Sequence, residues 1–216
     1  ITYIYSLVLY LGLAAILFTL DTLFAVNFSY RLYSDMLIIV AGVFAPAFFL
    51  ADIPYIDEEL KVGYYSGVLK VMLIYIVMPI LTAYTAILYA FFIKILVTRQ
   101  WPQGMVSNLV LWYSLITALV VFLVYPLKKE NQWVKVFTAN FPKIVIPLLA
   151  MMFVSMGIRI KAYGITENRY FVLVAGLWVT GSMLYLATKK DAKNIVLVIS
   201  LALVTVLTVA GPWSSF

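Results

Sequence analysis

An all-α, polytopic bundle of transmembrane helices is the fold that this 216-residue chain predicts, and three features lead there. The first is composition: 65% of the residues are apolar and 11% charged, against roughly 45–50% and 25% in soluble domains. A soluble protein of this length buries a core but still needs a polar surface, which these residues cannot supply. The second is that the apolar residues fall in runs close to the roughly 20 needed to cross a bilayer. The third is the position of Trp101, Trp133 and Trp213 at the ends of those runs, where amphipathic rings settle at the membrane–water boundary.

Seven runs approach or meet the spanning length. The first is Ile1 to Leu20, closed by Asp21, and the second is Met36 to Ala51, shorter and bent by Pro46. Val71 to Val97 is long, and Pro79 should kink it because proline lacks a backbone donor and collides with the preceding turn. Val106 to Leu127, Ile144 to Ile160, Phe171 to Ala187 and Ile195 to Ala210 complete the set. Two connections read as interfacial. Residues 21–35 are too polar to span and rich in aromatics, and residues 128–143 place Trp133, Val136, Phe137 and Phe141 near one face beside lysines. Without internal repeats or low-complexity linkers, residues 1–216 read as one membrane domain, and the abrupt ends suggest a fragment of a longer protein.

Charge distribution orients the bundle. Lys61, Lys70, Lys128, Lys129, Lys135, Lys143, Lys189, Lys190 and Lys193 fall on one side; Arg31, Lys94, Arg99, Arg159, Lys161 and Arg169 fall on the other. Nine against six places the first side, with the start of the chain, in the cytoplasm by the positive-inside rule. The net charge of +6 is scattered at the ends of apolar runs and forms no basic stripe, so anionic lipid headgroups are the expected partners and nucleic acid is not. The absence of cysteine and histidine excludes disulfides, thiol chemistry, ordinary zinc sites and a Ser-His-Asp triad. No cofactor is implied.

Three groups of residues are candidates for function. Asp52, Asp57, Glu58 and Glu59 concentrate carboxylates. Asp57, Glu58 and Glu59 are the candidates for a cation, although acids at a short helix start explain them equally. Tyr75, Thr82, Thr85 and Tyr89, at offsets of 7, 3 and 4 residues, lie on one helical face. They either line a polar path or hydrogen-bond as packing glue. The stretch "KAYGITENRY" concentrates charge between two apolar runs. Gly164 permits a turn and Thr166 is suited to cap the next helix. Arg159, Lys161 and Arg169, with Tyr163 and Asn168, are candidates to hold an anion or lipid headgroup at that helix start. The alternative is an ordinary helix-turn-helix at the membrane boundary. Lys94, near the end of its span, can snorkel to the interface.

"YGITENRYFVLVAGLW", "LTAYTAILYAFFIKILVTRQWPQGMVSNLVLWYS" and "GPWSSF" together resemble a bacterial multi-pass inner-membrane family, domain of unknown function four-one-five-three. The resemblance covers the chain from Tyr64 to its end and is most specific at Tyr163 to Tyr170. It implies an inner-membrane location and longer family members, and it makes Tyr163, Gly164, Thr166, Asn168, Arg169 and Tyr170 part of a family motif. It implies no reaction. Two functions stay open: transport or channel-like handling of an anionic or amphipathic solute, and a membrane scaffold or assembly subunit binding lipids, other membrane proteins or missing parts of the same chain. A lipid-modifying enzyme using the carboxylates near Asp57 is a third.

Overall fold

In a computed structural model the described residues are 2–51, 67–99, 105–189 and 194–210, and every regular element among them is helical. Among the described residues, six helices are long and apolar enough to cross a membrane. A seventh, α9 (Asn194–Ala210), has 17 residues, at the lower limit for a span. The helices gather into two compact units, residues 1–87 and 88–216.

In the first unit, α1 (Thr2–Phe24) is followed by α2 (Tyr30–Ile39), a π-helical turn Val40–Phe44 and α3 (Ala45–Ala51). Next come α4 (Gly67–Val71), a second π-helical turn Met72–Val77 and the start of α5 (Met78–Thr98). Each π turn ends two residues before a proline, and this is how the chain accommodates Pro46 and Pro79 inside long helices. A proline ring collides with the carbonyl four residues back. Those carbonyls belong to Gly42 and Tyr75, which lie within the two widened turns.

The first helix ties the unit together. Tyr5 donates its hydroxyl to Val68 O at 2.9 Å, and the Thr19 hydroxyl, donating to Ala15 O, lies 2.8 Å from Tyr84 Oη. Gly12 allows the third span close approach, since a Cβ there would lie 2.6 Å from Ile80 Cδ1. Residues 21–35 form no separate interfacial element: α1 runs on to Phe24, and α2 opens at Tyr30 behind the Ser29 N-cap, whose oxygen accepts from Arg31 N. Asp21, at the unfavourable negative end of α1, accepts from Phe28 N at 3.3 Å.

The second unit is built on α6 (Met105–Val124), a 3-10 turn Tyr125–Lys129, α7 (Gln132–Tyr163), α8 (Glu167–Thr188) and α9. Val110, Leu148, Leu149, Met152, Val179 and Met183 are fully buried where α6, α7 and α8 meet. Small and hydroxylated residues let the backbones close in: Ser107 and Ser155 hydroxyls are 3.4 Å apart, and Gly176 faces Met152 and Phe153. The fifth span is much longer than expected. Residues 132–143 are the first turns of a continuous 32-residue helix, which is about 48 Å long against a hydrocarbon core of about 30 Å. Its aromatic face also divides: Trp133 and Val136 are exposed, whereas Phe137 and Phe141 are buried and stacked 3.9 Å apart.

Candidate anion-binding pocket

The connection between α7 and α8 is short because its residues make the turn locally. Gly164 takes φ 74° and ψ −179°, a conformation essentially reserved for glycine. Its N–H closes α7 on Ile160 O at 2.8 Å. Thr166 is extended and occupies the N-cap of α8, as its type suggested, but its hydroxyl makes no cap bond. Arg169, in the first turn of α8, reaches back: Nη1 donates to Gly164 O at 2.5 Å, and its guanidinium lies 5.7 Å from the centre of the Tyr163 ring. The arginine is thereby fixed by the turn it follows.

These contacts leave a polar pocket of about 150 Å³. Arg159, Thr166, Asn168 and Arg169 line it, with Asn108 from the start of α6; Met156 and Val172, both buried, complete the lining. Arg159 and Arg169 therefore face one cavity beside two side-chain amides. The first N–H groups of α8 have no intrahelical acceptor and give that end partial positive character. Such a set can hold a phosphate or carboxylate through charge-assisted hydrogen bonds. Lys161 does not line the pocket and is exposed, and Tyr163, 70% exposed, acts through Arg169. Asn108 was not among the expected residues: it lies far away in sequence, and only the docking of α6 brings it here.

The hydroxyls of the third span point elsewhere. Thr82 donates to Met78 O at 2.9 Å and Thr85 to Leu81 O at 2.6 Å, both within their own helix. Tyr75 is 70% exposed, and Tyr89 donates to Ile144 O at 2.7 Å. Lys94 is exposed, its Nζ 5.9 Å from the centre of the Phe91 ring. Asp52, Asp57, Glu58 and Glu59 lie outside the described residues, among which no group of three or more metal-ligating side chains occurs.

The family model described as Domain of unknown function (DUF4153) matches residues 1–214, so the likeness extends well before Tyr64. An uncharacterised protein of Pasteurella multocida (strain Pm70) is 26% identical over 180 residues, covering 81% of this chain and 30% of the relative. The chain thus spans about 30% of that relative's length. No solved structure matches. With the family model covering nearly its whole length, this multi-span helical chain belongs to the DUF4153 family.

Proposed function

We propose that this chain is an integral domain of the bacterial inner membrane that handles an anionic amphipathic solute, taking its negative group at the Arg159–Arg169 pocket. The observation that carries the reading is that these two arginines line one small polar cavity with Asn108, Thr166 and Asn168. Arg169 is already oriented toward that cavity by Gly164 and Tyr163, so its donors are held in place for an anion. Buried Met156 and Val172 at the same pocket, with the apolar packing of α6, α7 and α8, favour retention at one membrane face over passage. The satisfied hydroxyls of Thr82, Thr85 and Tyr89 add nothing to a transport path. A lipid-binding scaffold or assembly subunit is therefore preferred to a channel, with the end of α7 and the start of α8 on the periplasmic side.

The test is retention of anionic phospholipid by purified protein at low and high salt. Charge-assisted hydrogen bonds contribute roughly 1.5–3 kcal/mol each, so Arg169→Ala should lower retention at least tenfold at low salt. Arg169→Lys should also weaken it, because lysine keeps the charge without the planar fork. Unchanged retention and unchanged salt dependence in Arg169→Ala would leave the arginine an ordinary interface anchor and end this reading. Export or uptake of a labelled anion by proteoliposomes, lost in Arg169→Ala, would instead restore transport.

A further inference from the structure

At the opposite end of α6 lies a second set of features that the arginine pocket does not use. Leu115, Ala118 and Phe122 of α6, Trp178 of α8, and Leu197 and Leu201 of α9 line an apolar groove of about 270 Å³. Its mouth is tied by Asn194, whose Nδ2 donates to Phe122 O at 2.9 Å and so pins the start of α9 to the end of α6. Trp178 is fixed within the groove wall by a 3.1 Å hydrogen bond from Nε1 to Ser200 Oγ. Just beyond Phe122 the 3-10 turn opens a cleft of about 690 Å³ lined by Tyr125, Lys128, Lys129, Glu130 and Lys135, three cations against one carboxylate. Lys128 Nζ sits 5.2 Å over the Tyr125 ring.

The two cavities share a side of the chain. Leu115, Ala118, Phe122 and Tyr125 recur at offsets of 3, 4 and 3 residues, the spacing of one helical face. The 10 residues from Leu115 to Tyr125 rise about 15 Å, and half of a 30 Å hydrocarbon core is also about 15 Å. By that spacing, a basic cleft and an apolar groove one leaflet deep lie along the same side of α6 and the turn that follows it.

We infer that this surface binds one anionic glycerophospholipid, its phosphate in the Lys128–Lys129–Lys135 cleft and an acyl chain in the groove between α6, α8 and α9. Charge complementarity selects the headgroup, and an apolar groove in a spanning bundle takes hydrocarbon. This site is independent of the arginine pocket, which lies at the other end of α6.

The experiment uses the purified chain in nanodiscs with phosphatidylglycerol or phosphatidylcholine bearing a photoreactive group in the acyl chain, and crosslinked peptides mapped by mass spectrometry. Phosphatidylglycerol should label residues 115–122 and 197–201 above the other lipid-facing helices. Val198→Trp and Leu201→Trp fill the groove from side chains already 49% and 45% exposed, so the bundle should fold, and either should cut that labelling severalfold. Neutralising Lys128, Lys129 and Lys135 to Gln should reduce the preference over phosphatidylcholine about fivefold for each lysine. Even labelling along all lipid-facing helices, labelling unchanged in both tryptophan variants, equal use of the two lipids, or a crosslinked pair of chains in place of lipid would overturn the inference. Arg169→Ala should leave groove labelling intact, so failure of the pocket and failure of the groove are read separately.

Discussion

Gly164 joins backbone geometry to the candidate site more tightly than any other residue. Its φ of 74° and ψ of −179° strain any side chain, even though a Cβ there would meet nothing within 4 Å. Gly164→Ala should therefore cost about 1–3 kcal/mol through the backbone alone. Because the Gly164 carbonyl also receives Arg169, the same change should reduce anionic lipid retention. The check is an apparent melting temperature in detergent alongside the retention assay; a variant as stable and as retentive as the parent would refute the coupling. Ala25 offers the opposite sign. It closes α1 at φ 54°, with its N–H on Asp21 O, a left-handed position that costs a residue with a Cβ about 1–2 kcal/mol. Ala25→Gly should raise stability by up to about 1 kcal/mol, after the added freedom of the unfolded chain is subtracted. A fall in melting temperature would show that the strain is not released.

Between helices, packing rather than propensity decides which glycines matter, and α8 contains its own control. A Cβ at Gly176 would lie 2.5 Å from Met152 Cε and 3.3 Å from Phe153 Cζ, whereas one at Gly181 would meet nothing within 4 Å. Gly176→Leu should thus force α7 and α8 apart, with an overpacking cost of about 1–3 kcal/mol or more, while Gly181→Leu should be tolerated or mildly stabilising. Equal melting temperatures for the two variants would contradict the close helix approach. The same elements mark what the sequence could convey. Hydropathy located the spans, since a run of about 20 apolar residues has few alternatives, and Gly164 and Thr166 announced the α7–α8 turn. The π turns before Pro46 and Pro79 were legible only as kinks, because the widened turn answers a clash that composition does not encode. Asn108 in the pocket and Trp178 in the groove were invisible for a different reason: Asn108 meets its neighbours only when α6 docks on α7 and α8, and Trp178 only when α6 and α9 both pack against α8.

For the whole molecule, the question that helix lengths and charges pose together is which way the chain crosses the membrane. The 32 residues of α7 exceed a 30 Å core by about 12 residues. Residues 144–163 alone supply about 30 Å, which leaves residues 132–143, with Lys135, Lys143 and exposed Trp133, at or beyond the interface beside the lysine cleft. That end carries Lys128 and Lys129 as well and should be cytoplasmic by the positive-inside rule. The α7–α8 turn would then face the periplasm. A chain without cysteine is well suited to the test, since any single introduced thiol reports alone. Ile165, 68% exposed in the turn, and Lys129, exposed in the 3-10 segment, are the positions to use. In intact cells an impermeant maleimide should label Ile165→Cys and spare Lys129→Cys, and permeabilisation should make both reactive. Labelling of Lys129→Cys in intact cells with protection of Ile165→Cys would invert the topology. Labelling of both before permeabilisation would mean that α7 does not cross.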